Sequence, residues 1–153
     1  MADAADVFGV GMGGVQKMKI ALIRPDQPDF ADQLARLKPS FTALTDASEQ
    51  FAYCEKLVRD KRASFYHLTG EGVSLRFVGL VDNDSDYFVM ALAGRNLRAG
   101  LPVFIDAVKS QGYARICGQV TRTGLDRIYV RAGFRVVEDE GGIRQLVLDL
   151  RGE

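Results

Sequence analysis

Residues 114–134 read ARICGQVTRTGLDRIYVRAGF, and the hydrophobic period changes within them from that of a strand to that of a helix. Ala114 to Val120 is a β-rich run. After it, Leu125, Ile128, Tyr129 and Ala132 fall at i, i+3, i+4 and i+7, the spacing of one helical face. Thr123 and Asp126 stand at the spacing of a capping box, and Gly133 is placed to close the helix. Phe134 to Val137 and Ile143 to Leu150 then read as a final hairpin around Glu138-Asp139-Glu140-Gly141-Gly142.

Outward from this block, the same signals organise the rest of the chain. Lys17 to Ile23 is a short β-type run, stopped by Pro25 and Pro28, which cannot continue a ladder. Phe30, Leu34 and Leu37 keep helical spacing up to Pro39. A second helix begins near Asp46, with Glu49 completing a capping box and Phe51, Cys54, Leu57 and Val58 on one face. Ser64 to Leu68, Val73 to Val81 and Tyr87 to Ala93 are β-rich, and the short turns between them imply three consecutive antiparallel strands. Leu101, Phe104, Ile105 and Val108 mark a third helix, ended by Gly112. Pro102, tolerable in a first turn, puts its start near Leu101.

The 153 residues suit one domain over 17–153, behind a flexible, apolar, Gly-rich tail at 1–16. Gly9 to Gly14 matches GxGxxG, but no strand precedes it and no helix follows it, so it reads as tail. Twenty basic and twenty acidic side chains cancel, which counts against a nucleic-acid partner despite the arginines at 95, 98, 122, 127, 131 and 135. No apolar run reaches the roughly 20 residues of a membrane helix, so a cytoplasmic protein, or one packed into an assembly, is expected. Cys54 and Cys117 stand far apart with no histidine cluster, which argues against a metal site, and Cys54 reads as core filler. The acidic turn Asp82 to Asp86 lacks the glycine and closing glutamate of a calcium loop.

The order β, α, α, three β, α, β, α, β, β resembles that of the GNAT superfamily of N-acetyltransferases. Ile23-Arg24-Pro25 with Asp29 looks like the family's first strand and turn. Leu125 through Tyr129 to Gly133-Phe134 looks like its last helix, and the resemblance covers roughly Met18 to Leu150. It implies an α/β fold of α+β type, with a mixed, mostly antiparallel central sheet flanked by helices. It also implies an acyl-CoA-dependent N-acyltransferase, with acetyl-CoA as co-substrate and an amine as acceptor.

The resemblance further implies a cleft where the fourth strand leaves the fifth. The pantetheine arm would pair with the backbone of Phe88, Val89, Met90, Ala91 and Leu92. The pyrophosphate would lie on the loop and helix start that carry Arg95, Arg98, Ala99 and Gly100. Arg95 and Gly100 fit the family's pattern, whereas Arg98 stands where a glycine is usual and would either block the phosphate or bind it. Tyr129 aligns with the tyrosine that protonates the departing thiolate, and it is equally a core aromatic on its helix face. Arg122 replaces a frequent asparagine. Glu71, Asp82, Asp86 and His67 are the available bases, each with a structural reading as turn or strand residue. These departures support an alternative, a non-catalytic structural or partner-binding protein, as among GNAT-like proteins of tailed phages, some of them virion-associated. In that case residues 1–16 would dock on the protein partner.

Overall fold

A computed structural model describes residues 18–41, 44, 46–120 and 124–151. The expected tail with its GxGxxG match, and the positions of Arg122 and Thr123, lie outside the described residues. The elements run β1 (Lys19–Ile23), α1 (Phe30–Ala35), a 3-10 turn (Lys38–Ser40), α2 (Ala47–Arg59), β2 (Ser64–Gly70), β3 (Val73–Asp82) and β4 (Asp86–Arg95). They continue with α3 (Leu97–Ser110), β5 (Arg115–Val120), α4 (Leu125–Arg131), β6 (Arg135–Glu140) and β7 (Ile143–Asp149). One seven-stranded sheet has the order β1-β2-β3-β4-β5-β7-β6, and only β4 and β5 run parallel. A parallel neighbour needs a crossover, and α3 supplies it.

Each face of the sheet buries its own apolar cluster. On one face Phe30, Leu34 and Leu37 of the α1 region join Cys54, Leu57 and Val58 of α2 over Phe65 and Val78. On the other, Leu101, Phe104 and Val108 of α3 pack over Leu68, Leu75, Phe77 and Ile116. The expected helical faces are thus the buried ones.

Three local expectations are corrected. Helix α3 starts at Leu97, not near Leu101, so Pro102 lies inside it. Leu97 packs against the core and Gly100 is buried, which rewards the extra turn. Pro102 itself is exposed, so solvent can take the Arg98 carbonyl that the proline cannot satisfy. Asp46 makes no side-chain cap bond; its Oδ2 accepts instead from Gln50 Nε2 at 3.0 Å. At α4 the cap residue is Gly124, at φ 97°, and Asp126 pairs with Arg144 across to β7.

The alternation of β4 breaks once. Val78 pairs with Ala91 and Gly79 with Val89, which leaves Met90 as an extra residue, a β-bulge. Before the bulge, Tyr87 and Val89 face α3; after it, Met90 and Ala91 both face α1 and α2, while Leu92 faces α3. Beside the bulge, Gly79 lies under the buried Tyr87 ring, where an added methyl group would overlap the phenol. Gly79→Ala should therefore cost about 1–3 kcal/mol by overpacking. An unchanged urea midpoint would sink this account.

Candidate functional site

Pairing between β4 and β5 is short: Asp86 to Val89 face Arg115 to Gly118, and no further pair forms. At the closed end, Arg115 grips the buried Asp86 carboxylate with both arms of its fork, Nε to Oδ1 and Nη2 to Oδ2, each at 3.2 Å. Beyond Val89 the bulge bends β4 away, since an extra residue kinks and twists its strand. Gln119 and Val120 continue along β7 alone. The wedge between the strands is a cleft of about 580 Å³. Its walls come from both faces, with Arg36, Ser40 and Arg76 from the α1 side and Leu97, Tyr129 and Phe134 from the other.

The structure brings together some of the residues expected at the site. Val89, Met90, Ala91, Leu92 and Arg95 line the cleft, as does Tyr129; Phe88 does not. Arg98 and Ala99 are exposed in the first turn of α3, and Asn96 ahead of them is left-handed with no side-chain cap bond. Gly100 N–H donates to Asn96 O at 3.1 Å, so the N–H groups of Leu97, Arg98 and Ala99 are the ones without a helical acceptor. Gly100 faces the sheet: a Cβ there would stand 2.6 Å from Leu75 Cδ1 and 2.8 Å from Val73 Cγ1. Close helix–strand packing accounts for this glycine.

Sequence reasoning missed Ser40. Its Oγ donates to Leu92 O at 2.7 Å and accepts from Leu92 N–H at 3.0 Å. Both backbone groups of Leu92 therefore turn away from β3 and are held by a hydroxyl from the 3-10 turn. It also missed Arg36 and Arg76, which reach the cleft from α1 and β3. Nothing local marks these residues, because each gains its place through a long-range contact.

Among the described residues, no carboxylate and no histidine lines the cleft. Glu71 and Asp82 are exposed at strand ends, and Asp86 is tied to Arg115. Tyr129 packs edge-on against Phe134, with ring centroids 5.4 Å apart, and burial pushes its phenol up to about 12. It is thus both a packed aromatic and a protonated phenol at neutral pH. Burial, with a minor contribution from Glu55, pushes the Cys54 thiol up to about 12, in keeping with core filler. His67 bonds Ser74 Oγ through Nε2 at 2.9 Å, and burial, then the charges of Arg76 and Arg36, pushes it down to about 4.

No protein-family model matches the sequence, and no curated protein matches it. Solved structures do. The ribosomal-protein-S18-alanine N-acetyltransferase of Escherichia coli aligns with TM-score 0.59 at 15% identity, over 89% of this chain and 96% of its own. A Bacillus subtilis acetyltransferase in complex with CoA gives 0.57 at 20% identity, over 87% and 99%. The PaiA N-acetyltransferase of Thermoplasma acidophilum in complex with coenzyme A gives 0.58 at 11%, over 88% and 99%. At such identities the likeness shows the fold, and the fold is GNAT-like, a seven-stranded mostly antiparallel sheet with helices on both faces.

The depressed histidine sets a pH dependence. The unfolded chain protonates His67 near 6.5 and the folded chain only near 4, so between these values the unfolded state binds more protons. The stability owed to neutral His67 is complete above about pH 6.5 and is lost as pH falls toward 4. Urea midpoints at pH 7.5 and 4.5 should accordingly fall further apart in the wild type than in His67→Gln. Equal drops would show that His67 contributes nothing.

Proposed function

We propose that this protein is an acyl-CoA-dependent N-acyltransferase that moves an acetyl group from acetyl-CoA to an amine. The observation that carries the reading is the wedge between β4 and β5. It exposes one strand's backbone along a channel that ends at an uncapped helix start, and a thioester arm and its pyrophosphate need those two features.

Within this reading the arm pairs with the edge of β4 at Met90 and, in place of the Ser40 hydroxyl, at Leu92, and Gly94 is the next position whose backbone turns outward from β3. The pyrophosphate lies on the N–H groups of Leu97, Arg98 and Ala99, where the helix dipole favours an anion and the Arg98 guanidinium adds charge. The acceptor amine attacks the thioester carbonyl, the carbon–sulfur bond breaks, and the departing thiolate meets Tyr129. Burial pushes the Tyr129 phenol up to about 12, which disfavours full transfer of its proton. Tyr129 therefore stabilises the thiolate chiefly by donating a hydrogen bond, and solvent completes the protonation. The amine attacks in its neutral form, as any amine must, and with no carboxylate lining the cleft among the described residues its protons leave to water.

The same lack of a carboxylate favours a second reading, a non-catalytic partner-binding protein that keeps the fold. Turnover separates the two. Tyr129→Phe should lower kcat about 10²-fold, with CoA affinity by calorimetry held, because it removes a donor used in the transition state. No CoA binding at millimolar ligand would remove the acyltransferase reading.

A second consequence concerns Ser40. The arm and the Ser40 hydroxyl compete for the Leu92 N–H and carbonyl, so Ser40→Ala should tighten CoA binding about fivefold, the worth of one net hydrogen bond. Weaker binding in this variant would place the arm elsewhere on the strand.

A further inference from the structure

The α1 face of the cleft carries a cluster of guanidinium groups, of which the reading so far leaves Arg36 and Arg76 without a task. Strand register puts His67 opposite Arg76, and Ser74 opposite Arg95, so these side chains share one face of the sheet. Arg36 reaches the same corner from α1, and Arg36, Arg76 and Arg95 all line the cleft. None of the three forms an ion pair with a carboxylate among the described residues. Arg76 Nε donates at 2.7 Å to the neutral Oε1 of Gln33, whose own amide donates to Asp29 Oδ2 at 3.0 Å. Asp29 is thus held one side chain away from Arg76, and its charge opposes the fall in the Arg76 pKa. Arg76 is half-buried, and burial with the Arg36 charge pulls its pKa down, while both arginines help keep His67 neutral.

Arg36 and Arg95 are exposed, and bringing their charges near the half-buried Arg76 costs Coulomb energy that an anion would recover. Guanidinium forks beside a serine hydroxyl match the geometry of a carboxylate or phosphate. Helix α3, whose first turn would take the pyrophosphate, packs on the opposite face of the sheet. Arg36 and Arg76 are therefore on the other face from that turn, while Arg95, two residues ahead of Leu97, stands between the two positions.

We propose that Arg36 and Arg76, with Arg95 at the edge of the same face, form a site for an acidic group of the acyl acceptor, so that the substrate is a small amine bearing a carboxylate or a phosphate. This rests on the acyltransferase reading and narrows it. A polycationic amine would meet repulsion at this corner, and an amine without an acidic group would gain nothing from it.

Two matched pairs test the proposal with the full chain and acetyl-CoA: glycine against glycinamide, and O-phosphoethanolamine against ethanolamine. At least one acidic member should exceed its neutral partner in kcat/KM by about tenfold or more, and Arg76→Gln and Arg36→Gln should each cut that ratio about tenfold. Equal or reversed preference in both pairs overturns the proposal. Calorimetry of Arg76→Gln with CoA and with dephospho-CoA separates the sources of the anion. Unchanged affinity for both supports the acceptor, whereas a loss confined to CoA assigns the arginines to its 3′-phosphate and overturns it. Should no amine turn over, inorganic phosphate is titrated into the CoA-saturated protein by NMR. Shifts at the α1 corner that Arg76→Gln abolishes support the anion site, and their absence overturns it. Failure to bind CoA, by contrast, is the failure of the acyltransferase reading alone.

Discussion

The structure depends on how briefly β4 and β5 stay together. Four residues of each strand pair, and then the backbone must separate, because Met90 has no opposite number on β3 and its insertion bends the strand. A parallel pair this short is weak by itself. Its base is reinforced by Asp86 and Arg115, the first residues of the pairing, joined by one hydrogen bond and a second ion-pair contact. Backbone bonds fasten the same end, Ala114 N–H to Ser85 O at 2.7 Å and Leu150 N–H to Ala114 O at 2.8 Å. A buried carboxylate is costly unless a charged partner answers it, so Asp86 fixes Arg115, and with it β5, in one register. Closed at one end and bent open at the other, the sheet holds a wedge without a loop having to shape it.

The bulge also decides which helix layer sees which residue. Without it, Leu92 would point to α1 and Ala91 to α3. With it, two successive residues, Met90 and Ala91, serve the α1 and α2 cluster, and Leu92 crosses to the other. The wedge thereby communicates with both faces of the sheet. One side is aromatic and closed by Tyr129 and Phe134; the other is cationic. A two-substrate reaction needs separate approaches to one carbonyl, and a sheet that opens in its middle provides them.

Element order was legible in the sequence because each element carries its own period, and the buried faces of α2 and α3 are those that spacing picks out. The wedge was legible only through family resemblance. Phe88-Val89-Met90-Ala91-Leu92-Ala93 is apolar throughout, so a one-residue change of parity leaves no mark in its pattern. The start of α3 was misplaced because a rule about proline was applied without knowing that Pro102 would face solvent and that Gly100 would let the preceding turn sit close on Val73 and Leu75. Asp86 read as a turn residue, since its partner lies 29 positions away. Arg36, Ser40, Arg76 and Arg95 come from four elements, and no local rule groups them.

The cationic corner bears on the missing base as well as on specificity. His67 lies on the same sheet face as Arg76, and burial first, then the two guanidinium charges, pushes it down to about 4. An ammonium group brought to the same region would meet the same penalties, desolvation and like charge, and both favour its loss of a proton. An acidic tail on the acceptor would reconcile these demands. It would draw the molecule in against the arginines, whose charge it partly offsets, and leave solvent to take the proton of the amine.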